Sequence, residues 1–507
     1  MLFNFKSKAK NITTNYEGAK AYTLTPEMAL YTAVVTSTLA NKFYENGNER
    51  VGRIRELMTQ CDPKFIAHLA VYARENMHLR SMPLVLAVEL AKVNKGDDLV
   101  SRTVTRVIQR ADELTETLAY YELANSRVGQ KKGLNKLSKQ VQIGVASAFN
   151  KFDEYQLAKY NRDGAIKLKD ALFIVHPKAK DAAQQAIFNK IVKDELATPY
   201  TWETELSALG QVKYADAAEK AAAFTAKWEE LIDSRKLGYM ALMRNLRNIL
   251  EANVSAKHAE KVCAFLADAH QVAKSKQLPF RFLSAYRELL GVKSGYTPSL
   301  LAALEDAVTA SVANLRGFDF KTAVTIACDV SGSMYAPISA KSSIKNFDIG
   351  LMLGMLLQSK CKNVEAGIFG DTWKTINMPS RGILKNVQEF YTRAGEVGYS
   401  TNGHLVIDDL LKRNKVMDKV MIFTDCQMWN SNGGNPIAQA WSNYRTNVAP
   451  NAQLYLFDLA GYGQAPLDLS KGNGVHLMAG WSDKIFDVLA ALEEGNDAVQ
   501  MIKSIEL

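Results

Sequence analysis

The chain has 507 residues, of which 47% are hydrophobic and 23% are charged, and its formal net charge is +9 at pH 7. This length exceeds what one hydrophobic core usually supports, so two or more domains are expected. The composition is ordinary for a globular protein, and no apolar run reaches the roughly 18 residues that a membrane-spanning helix requires.

The N-terminus and the cysteines argue against a secreted protein. The first residues carry positive charge but no apolar segment or small-residue cleavage site, so a secretory signal is not expected. The five cysteines are scattered without a Cys-x-x-Cys pair, a pattern that fits neither a disulfide framework nor a zinc site. A cytoplasmic location without a membrane partner is therefore expected.

The first part of the chain has a helical pattern. Pro26–Asn41, Pro63–Asn76 and Pro83–Val93 each begin with proline, which is tolerated in the first turn of a helix. These segments are short, apolar on one face and joined by polar links. Such a pattern predicts stacked helix pairs, an all-α fold of degenerate HEAT-like repeats.

The pattern changes near Phe318, where short apolar strands begin to alternate with amphipathic helices. Buried strands that alternate with helices predict an α/β, Rossmann-like domain with a parallel sheet covered on both faces. We therefore predict domains at residues 1–310 and 311–507. The predicted strands are Lys321–Val330, Val364–Gly370, Lys419–Asp425, Ala452–Leu459 and Val475–Gly480.

Polar residues cluster where these strands end, the edge at which open α/β sheets bind ligands. Carboxylate and hydroxyl oxygens suit a hard divalent cation, and Mg²⁺ is expected, with Mn²⁺ or Ca²⁺ as alternatives. The order Asp-x-Ser-x-Ser, then Thr, then Asp resembles the metal-ion-dependent adhesion site of von Willebrand factor A domains. The predicted ligands are Asp329, Ser331, Ser333, Thr401 and Asp425.

Two other interpretations of this cluster are less favoured. Asp329 and the two serines are also residue types that cap turns and helices. The placement of Thr401 and Asp425 favours the cation site over simple capping. A catalytic serine is disfavoured, because neither serine lies in a Gly-x-Ser-x-Gly or Ser-x-x-Lys context and no histidine is placed to activate it.

Positive charge is concentrated in residues 125–180, which contain twelve Lys and Arg against four Asp and Glu. Such a cluster can neutralise phosphates of a nucleic acid and release their counterions. The alternative is an ordinary solvated surface. The predicted RNA-binding residues are Arg127, Lys131, Lys132, Lys136, Lys139, Lys159, Arg162, Lys169, His176 and Lys178.

Four segments resemble the TROVE domain of the Ro ribonucleoprotein family: Asn15–Tyr22, Lys167–Lys178, Tyr239–Ile249 and Leu278–Leu289. The order of a TROVE domain and a von Willebrand factor A-like domain is that of the same family. The resemblance spans essentially the whole chain and implies a helical-repeat ring that is closed by the α/β domain.

The resemblance also implies a function. It implies binding of small noncoding Y or Y-like RNA on a basic outer surface, and of single-stranded ends of misfolded or decaying RNA in a central hole. Lys169 and His176 match the stretch that contacts Y RNA, and Lys132, Lys136 and Lys139 match the preceding basic helix. The implied role is RNA quality control, and bacterial relatives tether RNA to an exoribonuclease.

Other classes of function fit the sequence less well. A metal-dependent protein-adhesion scaffold without RNA function is the main alternative, although such a scaffold has no need of the basic cluster. An enzyme is not expected, because the chain has no P-loop, His-Glu-x-x-His, nucleophile elbow or paired-acid motif. A monomer is expected.

Overall fold

The computed structural model describes residues 12–37, 45–125, 137–311, 322–338, 342–361, 363–428, 436–469, 473–482, 484–493 and 497–507. Its contacts divide the chain into two compact units. The α/β unit comprises Met1–Gln60, Leu278–Ser284 and Ser311–Met501, and the helical unit comprises Cys61–Gln277, Ala285–Ala310 and Ile502–Leu507. Within the described ranges, no helix is both long and apolar enough to cross a membrane.

The limits of these units differ from a division along the chain. One break falls at residue 310, as in the predicted boundary, but the first 60 residues belong to the α/β unit and the last six to the helical unit. Each unit is made of three separate segments of the chain, which a single boundary cannot describe. The division into residues 1–310 and 311–507 therefore stays a prediction.

The N-terminal segment is part of the core of the α/β unit. Arg50 is buried, pairs with Glu45 at 2.7 Å and donates to the Ala460 carbonyl at 2.6 Å. A buried guanidinium requires such partners, because its desolvation is otherwise costly. The Tyr31 hydroxyl donates to the Ala479 carbonyl at 2.9 Å. The elements of this segment are β1 (Ile12–Thr14), β2 (Lys20–Thr23), α1 (Pro26–Val35) and α2 (Gly47–Thr59).

The helical unit is built from short helices that pack on near neighbours in the chain. The first of them starts at Pro63, and Asp62 caps it by accepting a hydrogen bond from the Lys64 N–H at 2.8 Å. These helices are α3 (Pro63–Glu75), α4 (Ser81–Val93), α5 (Leu99–Val107), α6 (Asp112–Asn125), α7 (Lys139–Phe149), α8 (Glu154–Lys159), α9 (Leu168–Val175), α10 (Ala182–Lys193), α11 (Trp202–Gly210), α12 (Ala217–Asp233), α13 (Tyr239–Arg244), α14 (Leu246–Glu251), α15 (Ala256–Ala267), α16 (Ala269–Ser275), α17 (Pro279–Leu290) and α18 (Thr297–Ser311). The first half of α17, up to Ser284, is assigned to the α/β unit.

Packing between neighbours confirms the helical-repeat prediction. Helix α3 contacts α4 and α5, α5 contacts α7, and α7 contacts α9. The predicted helices at Pro63 and Pro83 are found within two residues of their expected limits. The helix at Pro26 ends at Val35 with Thr36 as its C-cap, and the predicted part from residue 38 onward lies outside the described ranges.

The α/β unit contains a six-stranded sheet in the order β5-β4-β3-β6-β7-β9, and the pairs from β4 to β9 are all parallel. The five predicted strands are confirmed, whereas the antiparallel edge strand β5 was not predicted. The strands are β3 (Ala323–Asp329), β4 (Asn363–Phe369), β5 (Trp373–Thr375), β6 (Lys419–Thr424), β7 (Gln453–Asp458), β8 (Gln464–Ala465) and β9 (Val475–Ala479). Strand β8 belongs to a small antiparallel sheet with β1 and β2.

The helices of the α/β unit alternate with these strands along the chain. The first, α19, is buried along its whole length, and glycines allow its close approach to the sheet: a Cβ at Gly354 would lie 2.9 Å from the Cys328 sulfur. The helices are α19 (Asn346–Gln358), α20 (Ile383–Arg393), α21 (His404–Lys412), α22 (Pro436–Asn447), α23 (Ile485–Glu493) and α24 (Ala498–Lys503).

Candidate cation site and nucleic-acid interface

Four of the five predicted cation ligands meet where β3 and β6 end. These strands are parallel neighbours, so Asp329 at the end of β3 lies beside Thr424, whose hydroxyl donates to the Asp329 carboxylate at 2.6 Å. The Ser331 and Ser333 hydroxyl oxygens are 3.4 Å apart, and Ser333 lies close enough to Asp425 to favour the charged form of its carboxylate. The sheet register therefore brings these oxygens together.

The fifth predicted ligand, Thr401, lies in a loop that contacts the serine loop. The Gly332 N–H donates to the Tyr399 carbonyl at 2.8 Å, two residues before Thr401, which is itself buried. The same loop is fixed on its other side, where the Ser400 N–H donates to the Asp371 carboxylate at 3.1 Å. The local fold thus places Thr401 at the same edge of the sheet as the other four residues.

The surroundings of Asp329 and Asp425 disfavour the charged forms of both carboxyl groups. Burial raises the pKa of Asp329, and burial together with the Asp329 charge raises the pKa of Asp425. One oxygen of Asp425 accepts from the Gln427 N–H at 3.0 Å. Its second oxygen, Oδ2, is buried and has no hydrogen-bond partner among the described residues. A divalent cation bound here would satisfy this oxygen, so these residues fit such a cation.

The donor set also indicates the kind of cation. In the part of the chain that the structure describes, no group of three or more His, Cys, Asp or Glu side chains is placed to hold a metal ion. The predicted set has only two carboxylates, and its remaining donors are hydroxyl groups. Such a shell suits a hard cation that keeps water ligands and does not suit zinc, which prefers nitrogen and sulfur.

Two further features of this edge were not predicted from the sequence. Asp458 ends β7, is fully buried, and its charge contributes to the raised pKa of Asp425. An aspartate after an apolar strand is the signal that could have found it. The N-terminal hairpin also reaches this edge, because Asn15 donates to the Met428 carbonyl at 2.7 Å and the Tyr16 N–H donates to Gln427 at 2.9 Å. No local signal predicts that contact.

The predicted RNA-binding residues fall into three groups. Lys139, Arg162, His176 and Lys178 are exposed. Lys159 and Lys169 are engaged within the protein: the Lys159 amine lies 5.7 Å and 5.8 Å from the centres of the Tyr155 and Tyr160 rings, and Lys169 pairs with Asp194 at 2.7 Å. The residues that lie outside the described ranges are Arg127, Lys131, Lys132 and Lys136.

Two of the exposed residues, His176 and Lys178, belong to a fixed segment that follows α9, residues 176–180. His176 ends α9 in the left-handed conformation with a φ of 49°. The Asn150 side chain donates to the Lys178 carbonyl at 2.9 Å and accepts from the Lys180 N–H at 3.0 Å. Near its start, Gln142 donates to the Ile174 carbonyl at 3.2 Å. The 176–180 segment is therefore held along α7, whose first residue is Lys139.

Acidic side chains near this surface are already engaged. Asp163 pairs with Lys167 at 2.8 Å, Asp181 caps α10, and Asp194 pairs with Lys169. In contrast, Lys139, Arg162 and Lys178 have no acidic partner within the described ranges. We call these three residues and His176 the basic patch. Its positive charge is available to a polyanion.

Comparisons with known proteins agree with this arrangement. The TROVE domain profile matches residues 6–227 and 192–294, and the Ro60 vWA domain profile matches residues 323–491. The chain belongs to the TROVE family. TROVE proteins form an RNA-binding ribonucleoprotein family, so the resemblance found in the sequence is confirmed at this level.

Individual relatives are distant. Telomerase protein component 1 of Mus musculus is 24% identical over 342 residues, which are 51% of this chain and 12% of that protein. Its counterpart in Rattus norvegicus is 23% identical over 345 residues, which are 52% of this chain and 13% of that protein. This TROVE chain thus spans only a small part of the length of these relatives.

A solved structure shares the fold. The crystal structure of the Deinococcus radiodurans Ro (RSR) protein matches with a TM-score of 0.58 and 18% identity. The match covers 92% of this chain and 100% of that chain. The predicted order of helical repeats followed by a von Willebrand factor A domain is therefore confirmed.

The fixed 176–180 segment leads to a first prediction. Asn150→Ala removes two hydrogen bonds that hold this segment, and each contributes roughly 1 kcal/mol. We expect the affinity for a small structured RNA to fall about 3- to 10-fold, while the steepness of affinity against salt stays the same because no charge changes. Filter binding at several salt concentrations measures both quantities.

Gln185→Ala is the matched control, since Gln185 is an exposed amide on α10 whose side chain donates to Asn189 of the same helix. If Asn150→Ala and Gln185→Ala bind RNA with equal affinity, the hydrogen bonds of Asn150 to the 176–180 segment do not contribute to RNA binding.

Proposed function

We propose that this TROVE protein binds small noncoding RNA of the Y or Y-like class through its basic patch. We also propose that it accepts single-stranded ends of misfolded or decaying RNA in a central hole of the helical domain. Its role would be that of an RNA chaperone or quality-control scaffold. The observation that carries the proposal is the basic patch itself, beside a segment that the protein holds in place before RNA arrives.

The charge of the patch supports a phosphate-rich ligand. Three of its four residues have no acidic partner within the described ranges, so their charge is not neutralised inside the protein. RNA helices are bound mostly through shape and backbone contacts, which need exposed cations on a fixed scaffold. Family membership supports RNA as the polyanion.

We propose in addition that the α/β unit holds one divalent cation, probed most simply with Mg²⁺. Asp329, Ser331, Ser333, Thr401 and Asp425 would hold it. When bound, the cation supplies positive charge that can attract an acidic group of a partner. The proposed partners are RNA and an exoribonuclease, and the proposed state is a cytoplasmic monomer without enzymatic activity.

A second candidate function is cation-dependent binding of a protein without any RNA role. The buried Oδ2 of Asp425, which has no hydrogen-bond partner among the described residues, supports it, because a cation held there could bind an acidic group of a protein. The two functions predict different behaviour toward RNA, so one experiment separates them.

The test compares one hairpin RNA with a single-stranded tail and the same hairpin made blunt. We expect the tailed RNA to bind at least about 10-fold more tightly, since each stacked base contributes about 1 to 3 kcal/mol. Filter binding with the native protein and with Asp329→Ala measures the effect, and the tail preference should be the same for both.

Three outcomes decide between the hypotheses. Equal affinity for tailed and blunt RNA contradicts the binding of single-stranded ends. Absence of binding to either RNA favours the protein-adhesion alternative. Loss of RNA binding in folded Asp329→Ala would mean that the cation site takes part in RNA binding, which the proposal excludes.

A further inference from the structure

The α9 helix exposes an aromatic ring inside the basic region. Phe173 is 50% exposed, whereas Leu168, Ala171 and Val175 of the same helix are buried. The helix therefore has its own buried face, and Phe173 lies outside it. Leaving half of a phenylalanine side chain in water forgoes about 1 kcal/mol of burial energy.

Basic residues flank this ring in the chain. Lys169 lies four residues before Phe173 on α9, a spacing that places the two side chains on one face of the helix, and His176 follows the end of α9. His176 is exposed and belongs to the basic patch, and Lys178 follows two residues later.

A second exposed apolar side chain lies on the adjacent helix. Ile143 of α7 is 40% exposed and comes four residues after Lys139. The two helices are joined close to both residues, because Gln142 donates to the Ile174 carbonyl at 3.2 Å. Apolar contact area and positive charge are thus interleaved across α7 and α9.

This combination fits a nucleotide better than a protein or a bare duplex. The phosphate needs the cations and the base needs an aromatic face, and every base can stack on such a face. Bases in an uninterrupted helix are stacked on each other and do not offer a free face. Charge complementarity thus indicates a polyanion, and the exposed ring indicates an unpaired base.

We propose that Phe173 stacks on an unpaired base, in a bulge or loop of a structured RNA whose phosphates lie on the basic patch. This inference rests on the proposed RNA-binding function and specifies it. The surface distinguishes a hairpin with an unpaired nucleotide from the same hairpin fully paired, and Phe173 is the residue that makes the distinction.

The test uses two hairpins that differ only in a single bulged 2-aminopurine. Phe173→Leu keeps an apolar side chain but removes the ring, and Phe173→Trp keeps a ring. Phe173→Leu is expected to weaken binding of the bulged hairpin about 5- to 100-fold and to leave the paired hairpin nearly unchanged. Fluorescence of the bulged base should be quenched by the native protein and by Phe173→Trp, and not by Phe173→Leu.

Tyr296→Leu serves as the control, because it removes a partly exposed ring outside residues 125–180. If the native protein binds both hairpins and Phe173→Leu binds them equally well, the stacking role is overturned while the RNA function stands, and a protein partner becomes the occupant to examine. If the native protein binds neither hairpin, the RNA function fails and the stacking role fails with it.

Discussion

Asp425→Asn is expected to weaken Mg²⁺ binding by at least about 100-fold and, without Mg²⁺, to leave the protein as stable as the native protein or more stable. Loss of a group that only supports a metal ligand already costs about 10- to 100-fold in affinity, and Asp425 is a proposed ligand itself. Asparagine keeps the oxygen that accepts from the Gln427 N–H.

The stability effect follows from the charges at the sheet edge. Burial and the Asp329 charge both raise the pKa of Asp425, which means that its charged form is unfavourable in the folded protein without a cation. Removing that charge relieves the repulsion. A cation does the same in the native protein, so saturating Mg²⁺, about 100 times its dissociation constant, should raise the Tm of the α/β unit by about 5 to 10 °C.

Calorimetric titration and thermal melts measure these two effects. Asp487→Asn is the control, because Asp487 is exposed on α23, and this variant should bind Mg²⁺ and respond to it like the native protein. Asp329→Ala should also remove cation binding, but it leaves the buried Thr424 hydroxyl and the Ser331 N–H without their acceptor, at about 1 to 3 kcal/mol each. Undiminished Mg²⁺ affinity in Asp425→Asn would contradict the site.

Reversing the charge of Lys139, Arg162 and Lys178 to glutamate should weaken binding of a structured small RNA by about 100-fold or more at moderate salt. Each phosphate that the protein no longer neutralises removes about 0.7 to 0.9 from the slope of log affinity against log salt, so the slope should fall by about 2 to 3. These three cations are suitable because they are exposed, described, and without an acidic partner in the described ranges. Lys132 and Lys136 share the prediction from the sequence but lie outside those ranges.

The control reverses three exposed lysines outside residues 125–180, namely Lys213, Lys257 and Lys293. It changes the net charge by the same amount. If the basic patch is the interface, only the first variant shows a strong decrease in slope and affinity. Equal decreases in both variants would mean that RNA responds to overall charge, and the basic patch would then have no special role.

Local sequence was enough to predict much of the cation site. Asp329, Ser331 and Ser333 lie within five residues at the end of an apolar strand, and Asp425 follows another such strand, so a strand pattern and a parallel sheet suffice to bring them together. The concentration of cations between residues 125 and 180 is likewise visible in the sequence, since charge does not depend on folding. The sheet was predicted from the alternation of strands and helices, because the periodic spacing of apolar residues in each element can be read from neighbouring residues.

Tertiary structure alone decided which cations are available. Lys169 and Lys178 look equivalent in the sequence, yet Lys169 pairs with Asp194, 25 residues away, and Lys178 does not have such a partner in the described ranges. Phe173 lies in the apolar run Leu172–Val175, where a sequence pattern predicts a buried side chain. The orientation of α9 nevertheless leaves it half exposed. Orientation depends on what packs against the helix, and that is not encoded in the spacing of one segment.

The N-terminal segment is the clearest case of a feature that the sequence did not reveal. Arg50 is buried against the Ala460 carbonyl, and Asn15 contacts the Met428 carbonyl next to the cation site, over separations of 410 and 413 residues. A pattern that spans a dozen residues carries no information about such partners. Helix α2, which carries Arg50, therefore belongs to the α/β core, and only the folded chain shows this. A buried guanidinium is tolerated only where carboxylates and carbonyls accept its hydrogen bonds, and these acceptors come from distant parts of the chain.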